Sequence, residues 1–197
     1  SVERLQYFLP EFDLQLNFHP MDFTQINAGI NRKIISRALS LLELSEDDTV
    51  LDLFCGLGNF TLASARRAEK VVGVEGSQEM VLRGSENASL NGLDNVEFHA
   101  ADLFKPIESE DWATAQYSKI ILDPPRSGAI EIIPEIAKLG AKIIVYVSCN
   151  PATLARDTAE LISAGYKLRA TGVMDMFPHT THVESMAVFD AGKRSQK

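Results

Sequence analysis

Cysteine is scarce in this sequence: 197 residues hold two, Cys55 and Cys149. Neither belongs to a Cys-x-x-Cys pair or stands at metal-ligand spacing from a histidine, so a disulfide framework is excluded and zinc has no ligand set. Long apolar runs are lacking as well. Nothing approaches the roughly 20 apolar residues of a membrane-spanning helix, and no basic start leads into an apolar run and cleavage site. A soluble, monomeric, cytoplasmic chain without membrane contact is the expectation. Positive charge is also short, with 19 Lys and Arg against 27 Asp and Glu, a net of −8. Phosphate contacts need clustered cations, so if nucleic acid is the partner, most of the backbone affinity must come from elsewhere.

What is present fits one main globular domain, long enough to bury a core without staples. Residues 1–20 alternate apolar positions but show no turn that closes them on themselves, and read as a segment left from an upstream region. Residues 21–197 read as the domain proper. Ile26, Ile30, Ile34, Ala38, Leu41 and Leu42 recur at helical spacing, with Thr24 as a cap. Strands are then expected at 50–54, 71–75, 96–99, 120–123, 143–148, 166–171 and 183–189, with helices after each of the first five. Buried apolar runs alternating with helices give an α/β fold, a parallel sheet covered on both faces. The last two runs lack a helix between them, and so pair antiparallel. Seven strands in this order, mostly parallel with one reversed, predict the Rossmann-like S-adenosylmethionine-dependent methyltransferase fold.

In VLDLFCGLGNFTL a buried strand runs into Gly56 and Gly58 and then a helix, so backbone can approach a ligand at the strand's carboxyl end. Thr61 replaces the third glycine of the dinucleotide fingerprint. Glu75 ends the next strand, where a carboxylate can accept from both hydroxyls of a ribose. Asp102 follows the third, in FHAADLF, placed for an adenine amino group. Asp52 inside the first strand would crowd a pyrophosphate with negative charge, so adenosine without a diphosphate fits better than a dinucleotide.

The fourth strand ends in Asp123-Pro124-Pro125-Arg126, whose prolines fix a rigid acidic turn. The fifth, KIIVYVS, delivers Cys149, with Asn150-Pro151 reading as a helix cap and first helical position. A thiol at a helix N-terminus is expected to favour its thiolate. Cys55, inside the glycine turn, reads as structural. Carbon 5 of uracil is a poor nucleophile until a thiolate adds at carbon 6. Removal of the carbon 5 proton then needs a base, for which Glu184 in FPHTTHVESM is the candidate and His179 and His182 are alternates.

The motifs DLFCGLGNF, DPPRSGA, YVSCNPATLARD and FPHTTHVESM, in that order, resemble those of the RNA uracil-5-methyltransferases over about residues 18–189. The forms DPPR, SCNPATLARD and HVESM look most like members acting on 23S ribosomal RNA rather than the tRNA T-loop. The resemblance implies Cys149 as nucleophile and Glu184 as base. It also implies S-adenosylmethionine contacts at Gln25, Phe54, Asn59, Glu75, Asp102 and Asp123, beside Gly56 of the glycine turn. Its ribosomal members have an oligonucleotide-binding N-terminal domain and a cysteine-ligated iron-sulfur cluster. Two cysteines cannot supply that cluster, so a catalytic-domain piece is expected, with cluster and basic module lying upstream. Competing readings are a tRNA uracil-5 or RNA cytosine-5 enzyme, an amino-group methyltransferase suggested by DPPR, and a cofactor- or RNA-binding module without catalysis.

Overall fold

The computed structural model describes residues 4–20, 28–175 and 183–192. Its centre is a seven-stranded sheet of β3 (Thr49–Leu53), β4 (Lys70–Glu75), β5 (Val96–Ala100), β6 (Lys119–Leu122), β7 (Ile143–Ser148), β8 (Tyr166–Asp175) and β9 (Val183–Ala191). The spatial order is β5-β4-β3-β6-β7-β9-β8, and β9 runs antiparallel to both its neighbours. Adjacent strand residues feed opposite cores: Val50, Ile121, Val145 and Val188 point to one face, Leu51, Leu122, Tyr146 and Phe189 to the other. Burial on both faces is why the central strands read as continuous apolar runs.

One face is covered by α1 (Ala28–Leu42), α2 (Asn59–Ala65) and α3 (Gln78–Leu90). The other is covered by the short α4 (Ile133–Ile136) and by α5 (Pro151–Ser163). Among the described residues no helix is long and apolar enough to cross a membrane. Thr24 and Ile26, expected at the start of the first helix, lie outside the described residues.

Two expectations are corrected. The opening stretch does close on itself: β1 (Leu5–Leu9) and β2 (Leu14–Phe18) form an antiparallel hairpin around a 3-10 turn at Pro10–Phe12. Asp13 takes the left-handed conformation (φ 49°) and donates its N–H to the Pro10 carbonyl, so the turn works without glycine or an Asn-Gly pair. Leu9, Phe12, Leu14 and Leu16 are buried in the same core as α1 and α2. Secondly, no α-helix follows β5. Leu103, Ile107, Trp112 and Tyr117 instead plug the sheet face as an irregular segment with one 3-10 turn, Asp111–Thr114. Their spacing of four, five and five residues is not helical, and Pro106 removes a backbone donor.

Candidate active site

The carboxyl ends of the parallel strands form one edge, and the chemistry-bearing residues gather there. After β3 the chain turns through Phe54 (φ 63°), Gly56 (φ 55°) and Gly58 (φ 99°) before α2 begins. At Gly58 a Cβ would lie 3.1 Å from the Phe98 ring and 3.2 Å from Leu62, in addition to the left-handed backbone, so glycine is required twice over. Thr61, standing where a dinucleotide fold has its third glycine, donates at 2.6 Å to Asp52, which is fully buried in β3. Burial pushes the Asp52 carboxyl up to about 7, against the pull of that hydrogen bond.

Glu75 lies at the end of β4, half-buried. One carboxylate oxygen accepts from the Gly56 N–H and the other from the Ser77 N–H, each at 3.1 Å. An ionised carboxylate has about four acceptor positions, so both oxygens keep capacity for a ligand's hydroxyls. Asp102 is exposed, accepting from the Phe104 N–H at 3.1 Å and pairing with Lys105 at 3.1 Å. These two contacts hold its carboxyl below the usual range. The Phe104 ring meets Phe54 at 5.8 Å in a tilted pair. Phe104 was not singled out from sequence; an exposed aromatic two residues beyond the acid was the available signal. Asn59, first residue of α2, accepts a hydrogen bond from the Tyr7 hydroxyl of the hairpin, another partner that sequence reasoning missed.

The second group sits on β6, β7 and β9. Asp123 leaves β6 with its N–H donating to the Leu53 carbonyl at 3.3 Å. The loop that follows is bound to the start of α5: the Arg126 carbonyl accepts from Asn150 at 3.0 Å and Thr153 at 3.2 Å. Buried Asp157 accepts from the Ala129 N–H at 2.7 Å and the Tyr146 hydroxyl at 2.5 Å. Gly128 (φ 84°) permits this closeness, since a Cβ there would stand 2.6 Å from the Asp157 carboxylate. Asn150 caps α5 by accepting from the Ala152 N–H, with Pro151 in the first turn as expected.

Cys149 and Glu184 meet through the sheet. Ser148, the last residue of β7, pairs with Ser185 on β9, so Cys149 leaves β7 beside the point where Glu184 precedes Ser185. The Cys149 thiol is exposed, whereas Glu184 is only 8% exposed. Burial raises the Glu184 carboxyl. Asp123 is raised well above its ordinary value by burial and then by the charges of Glu184 and Asp52. Cys149 departs from expectation: desolvation and the charges of Glu184 and Asp123 raise its thiol, Arg126 being the cation that opposes them. Desolvation, with the two carboxylates brought from other strands, therefore acts against the thiolate that a helix N-terminus would favour. Cys55 is buried in the glycine turn, as a structural residue would be. Gln25, His179 and His182 lie outside the described residues.

The chain is similar to known proteins over nearly its whole length. The chain is 60% identical over 192 residues to the 23S rRNA (uracil(1939)-C(5))-methyltransferase RlmD of Alcanivorax borkumensis, covering 98% of this chain and 43% of that protein. It is 52% identical to the protein of the same name from Pseudomonas fluorescens strain Pf0-1, covering 98% and 42%. The chain thus spans about two fifths of the length of these curated relatives. Among solved structures, the Pyrococcus abyssi tRNA (uracil-54, C5)-methyltransferase in complex with S-adenosyl-L-homocysteine superposes with a TM-score of 0.80 at 30% identity, over 95% of this chain and 44% of that one. A putative SAM-dependent methyltransferase from Streptococcus mutans, 14% identical with a TM-score of 0.76 over 97% and 56%, shares the fold. The family model for tRNA (Uracil-5-)-methyltransferase matches residues 9–191, and the chain belongs to that family.

Proposed function

We propose that this chain is the catalytic part of an S-adenosylmethionine-dependent enzyme that methylates carbon 5 of a uracil in 23S ribosomal RNA. The observation that carries the reading is that Cys149, one residue past the end of β7, lies close enough to Glu184 of β9 and to Asp123 to feel their charges. The ribosomal target is supported by relatives named for 23S rRNA at 52 to 60% identity, against 30% for the structure named for tRNA. Their substrate also supports a cytoplasmic location. Nothing in the described chain calls for a second subunit, and a monomer is the form we propose.

The cofactor end of the site fits adenosine. Glu75 has spare acceptors for two ribose hydroxyls, and the Phe54–Phe104 pair offers aromatic surface beside Asp102. Gln25, Phe54, Gly56, Asn59, Glu75, Asp102 and Asp123 are the residues we assign to it. Bound there, S-adenosylmethionine supplies an electrophilic methyl group. The remaining work belongs to the chain's own residues. The thiol of Cys149 loses its proton to solvent across its exposed face and adds to carbon 6 of the base. The negative charge passes into the ring, which becomes nucleophilic at carbon 5 and is methylated there. Glu184, buried and therefore more basic than an ordinary carboxylate, accepts the carbon 5 proton; the carbon-sulfur bond then breaks and restores the thiolate.

The test is nucleoside mass spectrometry on a 23S rRNA fragment incubated with the protein and S-adenosylmethionine. The expected product is 5-methyluridine, lost in Cys149→Ala. A methylated cytidine, or full activity in the alanine variant, would overturn the proposal.

A further inference from the structure

The β1–β2 hairpin is fastened to the catalytic sheet by bonds that fix its backbone rather than by apolar contact alone. On α3, Asn87 accepts from the Asn17 N–H at 2.9 Å and donates to the Asn17 carbonyl at 3.1 Å. One helical turn on, Asn91 does the same for Gln15, at 2.9 and 2.7 Å. The two side-chain amides therefore occupy the hydrogen-bonding edge of β2 as a neighbouring strand would. At the turn, Arg66 donates to the carbonyls of Phe12 at 3.1 Å and Asp13 at 2.8 Å.

This attachment brings Tyr7 over the glycine turn. Its ring lies against Phe18 at 5.7 Å, and its hydroxyl donates to the Asn59 side-chain oxygen, 52 positions away in the chain. Burial pushes the phenol above its ordinary value, so it remains a neutral donor at physiological pH. An asparagine amide can present either its oxygen or its nitrogen in a given direction. With the oxygen engaged by Tyr7, the amide nitrogen of Asn59 has no acceptor among the described residues. It stands at the first position of α2, directly after Gly58.

We infer that Tyr7 is a positioning residue for the cofactor site: its hydroxyl holds the Asn59 side chain in place at the start of α2, making the N-terminal hairpin a working wall of the pocket. The inference rests on the assignment of Asn59 to the cofactor made above. A side chain held in place before the ligand arrives spares the ligand the cost of ordering it.

Calorimetric titration of S-adenosyl-L-homocysteine into the native chain, Tyr7→Phe, Asn59→Ala and the double variant tests it. Phenylalanine keeps the ring against Phe18 and removes the hydroxyl alone. The expected loss is roughly three- to tenfold for Tyr7→Phe, the range of one hydrogen bond. A larger loss is expected for Asn59→Ala, with no further loss in the double variant. Native affinity in Tyr7→Phe with weakened binding in Asn59→Ala overturns the role of Tyr7 and leaves the site assignment standing. Native affinity in Asn59→Ala overturns both. Losses that add in the double variant overturn the route through Asn59. Arg66→Gln, which loosens the hairpin without touching Tyr7, controls for folding. If it matches Tyr7→Phe in lowered melting temperature and also in lost affinity, the effect is one of hairpin stability and the inference falls.

Discussion

Glu75 and Asp102 on one half of the sheet's carboxyl edge, and Asp123 and Glu184 on the other, sit in opposite surroundings. On the β3–β5 side, backbone N–H groups and a lysine surround the carboxylates: Gly56 and Ser77 donate to Glu75, while Phe104 and Lys105 hold Asp102 in its ionised form. On the β6–β9 side, Asp123, Glu184 and the more exposed Cys149 lie near one another and all three are raised, desolvation being the first cause for each. Fixed charges with donors in place suit the binding of a ligand whose hydroxyls and amines do not change. Crowded acids whose protonation states depend on one another suit the movement of protons. In the function proposed, the division puts most cofactor contacts and the base chemistry on adjacent halves of one edge, with Asp123 where they meet.

Breaking the comparison on the proton-moving side should have the largest effect. Glu184→Gln keeps the shape of the side chain and removes the base, so release of methylated RNA should fall roughly 10²- to 10⁴-fold. A methylated protein-RNA adduct should accumulate on denaturing gels. Free product at the native rate would remove Glu184 from the role. On the binding side, Glu75→Ala should weaken S-adenosyl-L-homocysteine by roughly ten- to a hundredfold, from the loss of charge-assisted bonds. Calorimetry reads this directly, and unchanged affinity would erase the distinction between the halves.

A smaller effect sharpens the comparison. Because desolvation and the charges of Glu184 and Asp123 raise the Cys149 thiol, its alkylation by iodoacetamide should have a pH midpoint above the ordinary value of about 8.5. Glu184→Gln removes a negative charge, which lowers the thiol's pKa and should speed alkylation at pH 7.5 by roughly two- to fivefold. Arg126→Gln removes the opposing cation and should slow it. Cys149→Ala supplies the background from Cys55. A native midpoint below that of a free thiol would show that the helix N-terminus prevails after all.

Much of this arrangement is legible in the sequence, because buried parallel strands write themselves as apolar runs and each run ends in a residue of distinct chemistry. Gly56, Glu75, Asp102, Asp123 and Cys149 were found in this way, each at the mouth of its own strand. What escaped depends on contacts between distant segments. The sequence places Cys149 at the start of α5, but the desolvation and the carboxylates that raise its thiol come from the packing of distant strands, the acids from β6 and β9. Tyr7 gives no sign of facing Asn59 until the hairpin is seen to close, and that closure uses Asp13 in a conformation more often given to glycine or asparagine. The segment after β5 fills its sheet face with single buried side chains, leaving no periodicity for a helix to be recognised or refused.

The central claim is that Cys149 attacks the base, and the direct measurement is a trapping experiment with a 23S rRNA fragment carrying 5-fluorouridine at the target site. Fluorine cannot leave as the carbon 5 proton does, so the reaction should stop after methyl transfer with RNA bound to the protein. Digestion and mass spectrometry should place one methylated fluorouridine adduct on Cys149, dependent on S-adenosylmethionine and absent from Cys149→Ala. An adduct on Cys55, or one that survives in Cys149→Ala, would contradict the account.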